Sequence, residues 1–381
     1  MSSVIDIRPL TRVEGHGRVS VFLDGKRVEG VRLTLTESPR LFEALLVGKG
    51  FEEVPAIICR ICSLCSSVHR ITSLMAVEKA LGIGVTEQAQ LHRELILNGG
   101  HIQSHALHLF CLVLPDLFGV CGFTDLAEKA PEELKRGLRI KAAGNLIQET
   151  VGGRLIHPVT LIPGGMGKPV GREGLLKLKE ALEAILPDAA NALELFSTFT
   201  SPCSALSPSS FMAVEPGSAP PLFGERLITG DGEGFSVDDY RSAFREEVSP
   251  DTHAKKSLVN GKSVTVGALA RLNLGMELAP RAAAAFERCR DRIVGADIRA
   301  NNLAQSVELI HAVERSLEII DILLDRGFER EKPEKICPHP QLQLRWSRPL
   351  HCRRRHYPHR HQSSPHGAQP SGPRPVAGRS G

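Results

Sequence analysis

The sequence has few aromatic residues and no long apolar run. Aromatic residues make up 4% of the 381 residues, so a core must be packed mainly from Leu, Ile, Val and Ala, which the 42% apolar content supplies. No stretch of 18 apolar residues occurs, and the N-terminus lacks the charged-then-apolar pattern of an export signal. We therefore expect no membrane span and a location in the cytoplasm.

Cysteines are present, but they do not form the pattern of a disulfide scaffold. There are nine of them at irregular spacing, an odd number that favours a reducing compartment. One Cys-x-x-Cys occurs, formed by Cys62 and Cys65, and His69 follows four residues later. Such a pair alone is compatible with half of a zinc site, a redox pair or two buried thiols. A second Cys-x-x-Cys is missing from the sequence.

The net charge of +4 averages two unlike regions. The segment 332–381 holds ten basic residues and one acidic residue, whereas the first 331 residues hold 37 basic and 42 acidic residues. The body of the chain is therefore mildly acidic, as is usual for a soluble enzyme, and the tail is strongly basic.

Apolar periodicity predicts a mainly α fold with a small N-terminal β-hairpin. Apolar residues alternate from Val19 to Leu23 and again from Val31 to Leu35, and Asp24-Gly25 forms a turn signal between them. Helical periodicity then takes over. Helices are predicted over 71–81, 87–111, 131–150 and 174–200, and over 280–326 with a break near Gly295 and a stop at Gly327. Residues 201–234 are predicted to be irregular, and 251–266 to hold short strands.

Five separated motifs carry a resemblance to a known family. They are TRVEGHG (11–17), EEVPAIICRIC (52–62), QSHALH with LPD (103–116), VGGRLIHP with PGG (151–165) and NNLAQ (301–305). Together they resemble the large subunit of nickel-iron hydrogenases, in particular the soluble multi-subunit branch with sulfhydrogenases and coenzyme-reducing enzymes. The resemblance implies a large helical-bundle domain and reversible, heterolytic cleavage of hydrogen.

The resemblance also implies a nickel-iron centre held by four cysteine thiolates. Cys62 matches the terminal nickel ligand, and Cys65 matches the ligand that bridges nickel and iron. Soft thiolates suit both metals. The iron carries carbon monoxide and cyanide, which maturation proteins install, and electrons pass to an iron-sulfur small subunit and further electron-transfer subunits.

Three other residues match functional positions of the family. Glu14 matches the glutamate that relays the proton, and His69 matches a histidine that tunes the bridging sulfur. Glu43 matches a magnesium ligand, since its hard oxygen suits that ion. Structural roles are expected for the remaining polar candidates: His105 and His108 as packing and hydrogen-bonding residues, and Cys59, Cys111, Cys121, Cys203 and Cys289 as buried thiols.

The tail departs from the family. We divide the chain into a hydrogenase large-subunit domain (1–335) and a basic tail rich in Pro, Arg and His (336–381), which is predicted to be disordered or frame-shifted. A shift of reading frame near residue 335 would explain both the composition of the tail and the missing second cysteine pair. Two other interpretations are a tail that binds nucleic acid and a histidine-rich tail that stores metal. We favour the frame shift over both, and we expect no nucleic-acid partner.

A second hypothesis for the whole chain is a non-catalytic scaffold. The complex I subunit of the same fold serves as an interaction surface for iron-sulfur proteins. The retention of both Cys62 and Cys65 argues against this reading, because those relatives have lost the cysteines.

Overall fold

An antiparallel sheet opens the chain. The computed structural model describes residues 2–37, 39–199, 210–217, 223–295 and 298–327. Three strands pair in the order β1-β2-β3, with bounds Ser2–Ile7, Gly17–Asp24 and Arg27–Leu35. Strands β2 and β3 are the predicted hairpin, and Gly25 adopts a φ of 59° in its turn. Strand β1 was not predicted. It adds to the free edge of β2, so the sheet has one strand more than the alternation indicated.

Helices make up most of the remaining described chain, as predicted. They are α1 (Pro39–Leu46), α2 (Val54–Ile58), α3 (Ser66–Leu81), α4 (Glu87–Ala106), α5 (Leu114–Leu117), α6 (Phe123–Lys129), α7 (Pro131–Gly152), α8 (Arg172–Ser197), α9 (Tyr240–Ala243), α10 (Ala268–Asn273), α11 (Pro280–Cys289) and α12 (Asn301–Arg326). A π-helix, Leu107–Val113, joins α4 to α5. None of the described helices is long and apolar enough to cross a membrane.

Four long helices form the centre of the fold. Helix α4 packs against α7 and α12, and α8 packs against the same two helices. The stripe predicted for the last helix, Leu303, Val307, Ile310 and Val313, is buried in this bundle. The predicted break near Gly295 separates α11 from α12. Burial of these apolar faces, rather than helix propensity, supplies most of the stabilisation.

The other strands of the described chain are short and form three separate small sheets. They are β4 (Leu161–Ile162), β5 (Gly165–Met166), β6 (Ser210–Val214), β7 (Arg226–Thr229), β8 (Gly234–Ser236), β9 (Phe244–Val248), β10 (Lys255–Val259) and β11 (Val264–Thr265). The short strands predicted within 251–266 are confirmed. The prediction that 201–234 is irregular is wrong for β6 and β7, because strands this short show no clear alternation. These two strands pair in a four-stranded sheet of order β11-β6-β7-β8.

Two sequence predictions fall partly or wholly outside the described residues. The boundary at 335 and the basic tail lie beyond residue 327, and Cys203 lies in an undescribed segment. Of the other cysteines expected to be buried, Cys59 and Cys289 are buried and Cys111 is half-buried. Cys121 is exposed, which corrects the prediction. It lies in the turn before α6, and its neighbours supply no apolar cover.

A buried ion pair joins α3, α4 and the β4–β5 hairpin. The Arg93 guanidinium donates from Nη1 to Oε2 of Glu78 at 2.8 Å and from Nη2 to Oε1 at 2.5 Å. Both side chains are at most 5% exposed. Glu78 Oε1 also accepts the N–H of Gly164 at 2.7 Å, and Arg93 donates to the carbonyl of Ile162 at 3.3 Å. One pair of charges therefore fixes the hairpin against two helices.

Helices α4 and α7 cross at a point where only glycine fits. A Cβ on Gly144 would lie 2.6 Å from the backbone nitrogen of Gln103 and 2.7 Å from the carbonyl oxygen of Gly99. Real Cβ atoms do not approach backbone this closely, and the backbone of a packed helix cannot move aside cheaply.

Gly144→Ala should therefore destabilise the protein by about 1–3 kcal/mol, because overpacking outweighs the roughly 1 kcal/mol that alanine gains in a helix. Urea unfolding of the full chain measures the effect. Gly165→Ala is the matched control, since a Cβ there meets nothing within 4 Å. Equal midpoints for the two variants would contradict the close crossing.

Glu78→Gln should cost about 3–5 kcal/mol of unfolding free energy, because the amide leaves the Arg93 charge buried without a counter-ion. Glu132→Gln is the control, because Glu132 pairs with Lys135 on the surface at 2.8 Å and its loss should change stability little. A Glu78→Gln variant as stable as Glu132→Gln would show that the buried pair does not hold the hairpin.

Candidate metal site at the cysteine pair

The cysteine pair lies in the turn that leads from α2 into α3. Cys65 is the N-cap residue of α3, so the free N–H groups of the first helical turn lie close to it. Its own backbone N–H points at the sulfur of Cys62 at a distance of 3.3 Å. Cys62 is buried and Cys65 is half-buried. The fold therefore brings two cysteine sulfurs together in the turn that begins α3.

The surroundings of Cys65 favour its protonated thiol. Burial, a hydrogen bond with Cys62 and the charge of Cys62 raise the pKa of Cys65 to about 12, and the negative charge of Glu14 adds to the rise. At neutral pH this thiol therefore carries its proton. A metal ion that binds here must displace the proton.

Glu14 lies near the start of the sequence, well before the cysteine pair. It is exposed in the loop between β1 and β2, yet it lies close enough to Cys65 for its charge to act on the thiol. The charge of Glu14 thus acts on Cys65, which the sequence analysis had assigned to the same site.

His69 lies one helical turn after Cys65. Its backbone N–H donates to the carbonyl of Cys65 at 3.1 Å, within α3. Its side chain is half-buried, and burial lowers its pKa. The imidazole is therefore neutral at neutral pH and can donate one N–H, as the predicted role requires.

Glu43 stands apart from these residues. It is exposed on α1, and no ligand group of the described residues includes it. Its assignment as a magnesium ligand stays a prediction.

A loop from the middle of the chain covers the start of α3. His157 adopts a φ of 61°, its N–H donates to Ser66 Oγ at 3.2 Å, and its Nδ1 lies 2.9 Å from the carbonyl oxygen of Cys59. Arg70 adds two bonds to the carbonyl of Leu161, at 3.1 and 2.6 Å. Residues on both sides of the cysteine pair are thus tied to this loop.

The structure also contains a cluster that the sequence analysis missed. Within the described ranges, His101, His105 and Glu308 are the group of ligand-type side chains whose donor atoms lie within 4.8 Å of one another. The i, i+4 spacing of the two histidines on α4 could have revealed it. The sequence analysis considered His105 with His108 instead, and His108 bonds to Gln305 at 2.6 Å.

The carboxylate of this cluster already has charged and polar partners among the protein's own side chains. The Arg271 guanidinium donates to both oxygens of Glu308, and His105 Nε2 lies 2.7 Å from Glu308 Oε2. His101 stacks on His105 with ring centroids 5.5 Å apart, and burial lowers the pKa of His101 to about 3. A cation would have to compete with Arg271 for the same carboxylate. We assign the cluster to the packing of α4, α10 and α12, and the bond between His105 and Glu308 agrees with the hydrogen-bonding role predicted for His105.

Comparison with known proteins identifies the family. The model of the nickel-dependent hydrogenase family matches residues 40–148, and a HoxL-like model matches residues 4–38. The chain is similar to the alpha subunit of sulfhydrogenase 1 from Pyrococcus furiosus, with 36% identity over 319 residues that cover 83% of this chain and 74% of the relative. It is also 30% identical over 370 residues to the beta subunit of the NAD-reducing hydrogenase HoxS from Cupriavidus necator, covering 84% and 74% of the two chains.

Solved structures agree with this relationship. A crystal structure of an NAD+-reducing [NiFe]-hydrogenase in the H2-reduced state superposes with a TM-score of 0.78 at 25% identity, covering 88% of this chain and 81% of the other. A [NiFeSe]-hydrogenase from Dm. baculatum, with a TM-score of 0.67 at 19% identity over 88% and 82% of the two chains, shows the same fold. The predicted mainly α fold with an N-terminal sheet is thereby confirmed. The chain belongs to the large-subunit family of the nickel-iron hydrogenases.

Proposed function

We propose that this chain is the catalytic large subunit of a cytoplasmic nickel-iron hydrogenase that cleaves hydrogen reversibly and passes electrons to an iron-sulfur partner subunit. The observation that carries the proposal is the cysteine pair at the N-terminus of α3, with the Cys65 N–H directed at the Cys62 sulfur. Further electron-transfer subunits and maturation proteins are the other expected partners. The described cysteines are free thiols, in keeping with a reducing compartment.

The donor set at the pair fits a nickel-iron centre. Thiolate sulfur suits low-valent nickel and iron, and both sulfurs lie in the turn that begins α3, where a metal would displace the proton of Cys65. Cys62 would hold nickel, and Cys65 would bridge nickel and an iron that carries carbon monoxide and cyanide. When bound, that centre would supply the electron-accepting chemistry for hydrogen cleavage.

The remaining site residues would handle protons and support the ligands. Glu14 would accept and release the proton, since an exposed carboxylate exchanges protons readily with water. The neutral ring of His69 would donate its N–H toward the bridging sulfur and so tune that ligand. Glu43 would hold magnesium through hard carboxylate oxygen.

The proposal has one consequence for this sequence in particular. Its single Cys-x-x-Cys supplies two of the four thiolates that the family uses, so we propose that this exact chain binds the metals more weakly than its relatives and is impaired as a catalyst. A frame shift near codon 335 stays our explanation for the tail, and the nucleotide sequence read in all frames tests it.

Titration of the oxygen-free, reduced full chain with Ni2+ should give thiolate-to-nickel absorption that depends on the pair. Cys62→Ser and Cys65→Ser should each weaken binding by at least about tenfold, because each removes a soft ligand. Cys121→Ser, which alters an exposed cysteine, should leave the titration unchanged. Nickel binding that survives both changes at the pair would refute the proposed site and favour the scaffold reading.

Nickel affinity should rise with pH from the neutral into the alkaline range. The pKa of Cys65 is about 12, so the thiol is protonated throughout this range and the metal must compete with its proton. Each unit of pH should therefore raise the apparent affinity by up to about tenfold for each proton displaced. Repeating the titration at several pH values measures the slope, and an affinity that does not change with pH would contradict binding through the thiols.

A further inference from the structure

The loop that carries Glu14 contains a residue in an unfavourable backbone conformation. Arg12 lies at a φ of 62°, in the left-handed region that costs free energy for a residue with a Cβ atom. Such a conformation persists only when surrounding contacts hold it.

The side chain of Arg12 supplies those contacts. Its Nε donates to the carbonyl of Leu112 at 2.9 Å, and its Nη2 donates to Asp116 Oδ1 at 2.7 Å. Both acceptors lie where the π-helix passes into α5. The planar fork of a guanidinium can bind a carbonyl and a carboxylate at once, whereas an ammonium group has no such fixed geometry. The loop is thus attached to the end of the π-helix, a type of segment often found at functional sites.

A second set of contacts holds the loop on the other side of Glu14. Gly15 has a φ of 84°, and a Cβ there would lie 2.7 Å from Glu37 Oε2. The ring Nδ1 of His16 lies 2.8 Å from Glu37 Oε1. Side-chain bonds therefore tie the loop two residues before Glu14 and two residues after it.

We propose that Arg12 is a positioning residue, which anchors the loop that carries Glu14 to the start of α5 and so sets the position of Glu14 relative to Cys65. The inference rests on the proposed function, because it takes the proton-relay role of Glu14 from there. Arg12 and Asp116 keep 35% and 58% of their side chains exposed, so the pair contributes little to the stability of the whole fold. Loss of the anchor should displace the loop without unfolding the protein.

A cross-linking experiment on the full chain tests the placement without any metal. Glu14→Cys is introduced in the Cys62→Ser background, so that Cys65 lacks its native thiol neighbour, and disulfide formation is followed under mild oxidation. The new cysteine should cross-link to Cys65, and Cys65→Ser should abolish the product. Adding Arg12→Met should slow cross-linking at least about tenfold, because a loop that has lost its anchor is in its ordered position for only a small fraction of the time.

Two further variants separate the anchoring by Arg12 from a general effect of losing an arginine. Arg12→Lys keeps the charge and can still reach one acceptor, so it should restore part of the rate. Arg18→Met removes an exposed arginine on β2 and should not change the rate. Cross-linking that is equally fast with Arg12→Met, or absent in the parent, would overturn the proposal.

The complex with its partner subunits supplies the catalytic readout. After maturation, Arg12→Met should lower the rate of isotope exchange between hydrogen and water at unchanged nickel content, and Arg12→Lys should recover part of it. An exchange rate unaffected by Arg12→Met would overturn the positioning role. A parent complex that binds no nickel would overturn the proposed function, while the cross-link would still report on the anchor.

Discussion

A buried ion pair is the interaction on which the surroundings of the cysteine pair depend. Glu78 and Arg93 lie on α3 and α4, and their bonds to Ile162 and Gly164 hold the β4–β5 hairpin against both helices. Two charges at most 5% exposed would be costly if either lost its partner. The pair therefore favours the single arrangement in which the loop that carries His157 covers the start of α3.

The proposed metal site and its surroundings are built from segments that are distant in sequence. The turn before α3 supplies both sulfurs, the loop between β1 and β2 supplies Glu14, and the loop after α7 supplies His157. Each segment is irregular and is fixed by side-chain bonds to a helix. Helix α3 packs against α4, which belongs to the bundle of α4, α7, α8 and α12, so irregular segments can hold reactive groups at defined positions on a packed scaffold.

The sequence predicted the elements better than their contacts. Periodicity located α3 up to Gly82 and the apolar stripe of α12, because a buried face repeats every 3.6 residues. It could not predict that Glu78 pairs with Arg93, or that His101 rather than His108 lies beside His105. Periodicity shows which residues lie on one side of a helix, but not which residues they contact. The left-handed conformation of Arg12 left no signal either, because glycine or asparagine usually marks that region.

Nickel-edge X-ray absorption of the full chain with its iron-sulfur partner tests the central claim most directly. It measures which elements surround the metal. The account predicts sulfur neighbours around nickel that are lost when Cys62 and Cys65 are both changed to serine and kept when Cys121 is changed. A nickel surrounded only by nitrogen and oxygen, or sulfur neighbours that survive the double change, would contradict the account.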